Sequence, residues 1–164
     1  MKLSLLRISL WLAAFSCVTA NFDVYMVERT IVTDVGVSIN KVWQVFEAEP
    51  KNCDEVFAAK TFVNSGDVSG TKTGVRCAGS GCDYKPPPGN IDVLEMNFHG
   101  TDPVYHWTLY KDRGWTMVGL DGNTYGDCIV FPNGDYNCHD SIYYFLEGYR
   151  KFRCLTKFTA GDLN

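Results

Sequence analysis

The stretch Gly126-Asp-Cys-Ile-Val-Phe-Pro-Asn-Gly-Asp-Tyr-Asn-Cys138 decides the predicted fold of the C-terminal half. Its centre, Pro132-Asn133-Gly134, has the chemistry of a three-residue hairpin loop, because proline presets the first φ and glycine adopts the left-handed third position. A hairpin in this register places Cys128 opposite Cys138 at a non-hydrogen-bonded pair, where side chains approach closely. We therefore expect an antiparallel hairpin joined by a Cys128–Cys138 disulfide.

Further β-prone segments lie on both sides of this stretch. They are rich in Val, Ile, Thr, Tyr and Trp, as is typical of half-buried strands. The segments are 22–32, 37–48, 91–99, 104–111, 115–120, 124–131 and 148–155. Asp34-Val-Gly36 indicates an N-terminal hairpin, and Asp112-Arg-Gly114 is a turn between two later segments. The C-terminal half is therefore predicted to be an antiparallel meander.

One short helix is predicted between the N-terminal hairpin and the meander. Asn52 can cap residues 54–60, and Asp54 and Glu55 would lie at the positive end of the helix dipole. The order of hairpin, short helix and antiparallel sheet predicts a disulfide-stabilised α+β domain. Because the helix is brief, an all-β sandwich is the alternative.

Residues 1–20 have the organisation of a secretory signal peptide. A short basic region precedes an apolar stretch at residues 8–15, and Val18-Thr-Ala20 offers the small residues of a cleavage site. The apolar stretch is far shorter than the ~20 residues that cross a bilayer. We therefore expect a secreted, extracellular protein without a membrane span, with a single mature domain at residues 21–164.

Cleavage after residue 20 would remove one of the seven cysteines. The six that stay are Cys53, Cys77, Cys82, Cys128, Cys138 and Cys154. An even number of cysteines in an exported chain predicts three disulfides. The spacing of Cys77-Ala-Gly-Ser-Gly-Cys82 exceeds that of a Cys-x-x-Cys redox motif and indicates a structural disulfide.

The full chain carries a net charge of −4, and the signal peptide holds bases but no acids, so the mature chain is more acidic still. This acidity disfavours general attraction to nucleic-acid phosphates.

Two segments carry a resemblance to a known family. Phe98-His-Gly-Thr-Asp-Pro-Val-Tyr-His-Trp107 is similar to a phenylalanine followed, after four residues, by Pro-x-Tyr-Glu-Trp. Gly126-Asp-Cys-Ile-Val-Phe131, before the turn, is similar to Gly-Ala-Asp-Arg-Val-Val-Phe followed by a hairpin. In these segments, residues 98–140 resemble the core of the secreted fungal guanyl-specific ribonucleases and ribotoxins. That family has an N-terminal hairpin before one helix.

The resemblance implies a catalytic chemistry whose residues are largely replaced in this chain. The family cleaves RNA with a carboxylate base, a histidine acid and an arginine that binds the phosphate. His106 stands at the glutamate position, Cys128 stands at the arginine position, and His139 precedes the register of the histidine. The resemblance also implies a disulfide between the two ends of the chain, a part that Cys53 and Cys154 could play. We therefore expect a ribonuclease-like scaffold without its catalytic set.

The leading hypothesis is a non-enzymatic, effector-like small cysteine-rich protein, of the kind that fungal pathogens secrete for virulence. It would bind a host or competitor macromolecule as a monomer. The candidate binding residues are the aromatic Tyr143 and Tyr144 and the basic Arg150, Lys151 and Arg153, which could contact RNA or an acidic surface. The alternative for the basic run is a strand whose solvated charges discourage edge-to-edge pairing.

Two other functions stay open. An active ribonuclease or ribotoxin would use His106 and His139 as its acid–base pair. A cell-wall or carbohydrate-binding module would use exposed tyrosines and tryptophans. The sequence indicates no cofactor and no metal site, since the loop that begins at Asp121 has Pro132 where a calcium loop needs a bidentate glutamate.

Overall fold

The computed structural model of the protein describes residues 20–164. The predicted signal peptide therefore lies outside the described residues, apart from Ala20. The strands are β1 (Ala20–Thr33), β2 (Gly36–Phe46), β3 (Phe62–Val63), β4 (Gly74–Ala78), β5 (Val93–Asn97), β6 (His106–Tyr110), β7 (Thr116–Gly119), β8 (Thr124–Val130), β9 (Tyr136–Ser141) and β10 (Tyr144–Thr156). The α-helix α1 is Cys53–Ala58. No helix within the described part of the chain is long and apolar enough to cross a membrane.

The strands form one curled sheet. Its order is β3-β2-β1-β10-β8-β7-β6-β5-β4, with neighbouring strands antiparallel and β9 added beside β10. The two ends of this order meet at a parallel bridge between Asn64 and Val75. The sheet is therefore a nearly closed, barrel-like structure. β5 to β8 form the antiparallel meander that the sequence predicts, and β4 extends it by a strand that the sequence analysis did not predict.

The predicted α+β class is wrong, although its helix is present. Asn52 caps α1 as expected, with its side chain accepting a hydrogen bond from the Glu55 N–H at 3.0 Å. The helix has six residues and covers only a local apolar cluster around Tyr25 and Leu146 on the outer face. A helix this short cannot form a layer of its own. The alternative prediction of an all-β fold has the correct class, but its sandwich architecture is wrong, because the strands form one curled sheet and not two packed sheets.

Aromatic side chains fill the interior of the sheet. Phe22, Trp43, Phe98, Trp107 and Phe152 are all essentially inaccessible to solvent. The rings of Phe22 and Trp107 stack with their centroids 6.1 Å apart, and Phe98 meets both at its edge. Burying such rings contributes about 1.5–3 kcal/mol each relative to exposure, so this cluster holds the curled sheet together.

The chain does not reverse at the Pro-Asn-Gly sequence. β8 pairs with the C-terminal part of β10, and β9 pairs with its N-terminal part. The two strands therefore lie end to end beside β10, and residues 131–135 connect them without reversing the chain. Asn133 and Gly134 adopt left-handed φ values of 77° and 76° within this connection. The reversal follows at Ile142 and Tyr143, between β9 and β10.

The predicted Cys128–Cys138 disulfide is therefore wrong, because β8 and β9 are not paired with each other. Cys128 bonds to Cys154, which is its cross-strand partner on β10. Cys138 bonds to Cys53 at the start of α1, which also excludes the implied Cys53–Cys154 pairing. The expected number of three disulfides and the Cys77–Cys82 disulfide are confirmed.

Candidate functional site

An open face lies where four neighbouring strands, β2, β1, β10 and β9, extend beyond the packed interior. Side chains alternate between the two faces of a strand, and Trp43 and Met26 mark the inner face because they are buried in the core. Further along the same face, one cross-strand row holds Lys41, Glu28, Glu147 and Asn137, and the next holds Ile39, Thr30, Phe145 and His139. These eight side chains, all half-buried or exposed, are here named the platform.

The platform has the dimensions of a small binding surface. Its four strands span three strand spacings, about 14 Å, and its two rows lie about 7 Å apart along the strands. Because a hydrogen-bonded sheet carries all eight side chains, their spacing is fixed before any ligand arrives.

An aromatic pair borders the platform on the side of the core. Tyr149 lies opposite Met26, one row nearer the core than Glu147, and its ring centroid lies 5.4 Å from that of Tyr84 in the segment after β4. The Tyr149 hydroxyl donates to Glu147 Oε2 at 2.9 Å, and Asn137 Nδ2 donates to Glu147 Oε1 at 3.2 Å. Burial and the hydrogen bond to Glu147 raise the pKa of Tyr149 above its ordinary value, so the phenol remains a donor. The two donors fix the orientation of the Glu147 carboxylate.

Two glutamates are cross-strand neighbours in the first row. Glu28 and Glu147 are directly opposed on β1 and β10. Like charges in this arrangement oppose sheet formation. Lys41 is opposite Glu28 on β2, but its ammonium group pairs with Asp83. A cross-strand pair that opposes folding is more readily explained by a role in ligand binding than by one in stability.

The predicted tyrosine pair is split between two environments. Tyr143 lies in the β9–β10 turn with about half of its side chain exposed (53%). Tyr144 lies on the outer face, with its ring 6.0 Å from that of Phe57 in α1. It lines a cleft of about 340 Å³ with Gln44 and Asp140. The two tyrosines therefore do not form one contact surface.

The predicted basic residues are mostly internal. Asp23 is fully buried and accepts from Arg153 Nε at 2.6 Å, from Arg153 Nη2 at 2.8 Å and from Arg150 Nη1 at 3.1 Å. Lys151 is buried, donates to the Asp83 carbonyl, and has its pKa lowered by burial to about 8. The three basic side chains therefore have partners within the protein. They form neither the predicted binding patch nor the alternative, a strand edge with solvated charges.

The structure does not bring the two candidate catalytic histidines together. His106 is buried on β6, whereas His139 is exposed on β9, which continues the line of β8 beside the other half of β10, so the two histidines lie in different parts of the sheet. His106 instead contacts Glu95, with 2.9 Å between Nε2 and Oε1, and Arg76 Nε donates to the other oxygen of Glu95 at 2.7 Å. Burial opposes the ionisation of Glu95, but the hydrogen bonds and charges of Arg76 and His106 outweigh it and lower its pKa.

Sequence reasoning did not identify the platform or the Arg76–Glu95–His106 cluster. Glu28, Thr30 and Val32 follow the two-residue repeat of a strand face, which was a usable signal. Their meeting with Glu147 depends on the pairing of β1 with β10, and no local pattern encodes a contact between strands so distant in the chain.

Comparison with known proteins identifies no relative of this chain. The chain matches no family model, no curated protein and no solved structure. The α+β fold implied by the ribonuclease resemblance differs from the observed all-β fold.

Proposed function

We propose that this is a secreted, non-enzymatic binding protein that holds a polysaccharide strand on its platform. The observation that carries the proposal is the alignment of aromatic rings with oriented carboxylate and amide groups on one open sheet face. The predicted signal peptide and the three disulfides support an extracellular setting, where such polymers form cell walls.

The side chains of this face match the two kinds of surface on a sugar ring. The C–H face of a pyranose is apolar and packs on aromatic rings, which Tyr84, Tyr149 and Phe145 supply. Ring hydroxyls need acceptors and donors at fixed positions, which Glu147 and Asn137 supply. Because the backbone of the sheet is already ordered, binding does not have to order a loop, which favours affinity from a modest contact area.

The sequence led to the hypothesis that the protein binds a host or competitor macromolecule, and the proposed ligand is now one class of macromolecule, a cell-wall polysaccharide. The acidity of the chain and the internal pairing of its basic run argue against a nucleic acid as the main ligand. A neutral or amine-bearing polysaccharide is compatible with the Glu28–Glu147 pair, because neither kind of polymer brings anionic groups to the opposed carboxylates.

The test is co-sedimentation of the protein with insoluble chitin, β-glucan and cellulose. Tyr84→Ala and Glu147→Gln are each expected to weaken binding about tenfold, which corresponds to about 1.4 kcal/mol. Tyr110→Ala removes another half-buried tyrosine, on β6 away from the platform, and should bind like the wild type. Failure of the wild type to bind any of the polymers, or unchanged binding by both platform variants, would reject the proposal.

A second candidate function follows from the Arg76–Glu95–His106 cluster. A carboxylate, an imidazole and a guanidinium within hydrogen-bond reach are the groups that acid–base cleavage of a phosphodiester uses. This version of the ribonuclease alternative pairs His106 with Glu95 in place of His139.

The second candidate predicts cleavage of guanosine-containing RNA by the purified protein. Glu95→Gln and His106→Gln should each lower the rate by about 10²-fold or more, because each removes a proton-transfer group. His139→Gln is the matched control and should cleave normally, since His139 lies on β9 and makes no hydrogen bond to this cluster. Absence of RNA cleavage by the wild type would remove this candidate and leave the binding function.

A further inference from the structure

The outer edge of β2 carries an exposed apolar segment without a neighbouring strand among the described residues. β3 pairs only with Val42 and Trp43, which leaves the edge free from Gly36 to Lys41. Within this segment Val37 is 62% exposed and Ile39 is 60% exposed. Residues 36–40 contain neither a charge nor a proline, the devices by which proteins usually block such edges.

The backbone of this edge is arranged for pairing. β1 and β2 are joined by a two-residue loop that closes at the pair Thr33 and Gly36. Counting the alternation of an antiparallel ladder from this closing pair, Val37, Ile39 and Lys41 direct their N–H and C=O groups away from β1. These groups are free to accept a further strand.

We propose that the β2 edge pairs with the β2 edge of a second copy of this chain. An antiparallel pair centred on Ser38 places Val37 of each copy opposite Ile39 of the other, so apolar side chains meet on one face. Lys41 then lies opposite Val35 and beside Asp34 of the second copy, so residues of opposite charge are neighbours across the pair, while the Lys41 ammonium keeps Asp83 as its partner within its own chain. The register is self-complementary, as a two-fold interface requires.

The symmetry of this pairing also bears on the platform. The two-fold axis of an antiparallel strand pair is perpendicular to the sheet, so both copies present their inner faces on the same side. Eight strands would then carry two platforms side by side. This arrangement fits bivalent binding of a long polymer, in which the second contact is intramolecular. The dimer itself rests on the edge and not on the proposed ligand.

The expected dimer is weak. An edge of six residues buries less than the ~800 Å² per partner of a standard interface, which suggests a dissociation constant in the micromolar range. This departs from the monomer that the sequence led us to expect. Sedimentation velocity of the secreted wild type between about 1 and 200 µM should show a concentration-dependent shift from monomer to dimer.

Substitution at the symmetry axis tests the register. Ser38 is exposed, so Ser38→Lys should fold normally, but it brings two ammonium groups together and should weaken the dimer about tenfold or more. Ser38→Glu should do the same, whereas an equimolar mixture of the two variants should dimerise again. Tyr84→Ala, which tests the platform, should dimerise like the wild type.

Either of two results would overturn the dimer. One is a wild-type protein that stays monomeric up to about 200 µM, whether or not its edge takes an extended peptide instead. The other is a Ser38→Lys variant that dimerises as tightly as the wild type. Neither result depends on polysaccharide binding, so failure here and failure of the proposed function can be told apart.

Discussion

Replacement of Asp23 by asparagine should lower the free energy of unfolding by about 3–5 kcal/mol. Asp23 is fully buried on β1 and binds two arginines of β10, Arg153 through two hydrogen bonds and Arg150 through one. An asparagine fills the same volume but carries no charge. The buried Arg150 would then lose its nearest counter-charge, with Glu49 at 3.7 Å as the remaining carboxylate.

Urea denaturation monitored by tryptophan fluorescence measures this loss. Asp34→Asn makes the same chemical change in the exposed β1–β2 turn and should alter stability by no more than about 0.5 kcal/mol. A loss of less than about 1 kcal/mol for Asp23→Asn would mean that the arginines find other partners or water, and that the cluster contributes little to the β1–β10 pairing.

Features that depend on neighbouring residues were predictable from the sequence. The Asn52 cap sets the start of α1, because one side chain satisfies a backbone donor three residues away. The turn at Asp34 sets the β1–β2 hairpin, and Gly114 adopts the left-handed conformation that the next turn requires. In each case the chemistry and its consequence lie within a few residues of each other.

The Pro-Asn-Gly sequence shows where local chemistry is insufficient. Gly134 has the positive φ expected of it, and Asn133 has one that was not expected, but a left-handed glycine serves a hairpin and an interruption within a strand alike. The choice between them depends on β10, which is long enough to pair with β8 and β9 in succession. Both disulfide errors follow from this choice, because Cys128 and Cys138 face different partners.

The environment of the basic residues of β10 could not be predicted from local sequence either. Charged residues in a strand suggest a solvent-facing side, yet a register shift opposite Val24 and Tyr25 places Lys151 in a buried position. Arg150 and Arg153 then reach the one buried carboxylate of β1. Without the β1–β10 register, nothing in the run distinguishes an internal ion cluster from a binding patch.

Loss of the Cys53–Cys138 disulfide should destabilise the protein more than loss of Cys77–Cys82. The first disulfide joins residues separated by 85 positions and the second joins residues separated by 5. Closing a loop of those lengths in the unfolded chain corresponds to about 4–5 kcal/mol and about 2 kcal/mol, respectively. Cys53–Cys138 also fixes α1 against the outer face, where Val56 is buried.

Paired serine substitutions provide the measurement. Cys53→Ser with Cys138→Ser should give the larger fall in the free energy of unfolding, and Cys77→Ser with Cys82→Ser serves as the matched control with the same number of sulfurs removed. Non-reducing peptide mapping of the wild type should recover both bonds. Equal losses for the two double variants would show that α1 remains docked without its covalent link and that the unfolded chain is already compact. Stability would then rest on the aromatic interior and the Asp23 cluster, which the Asp23→Asn variant measures separately.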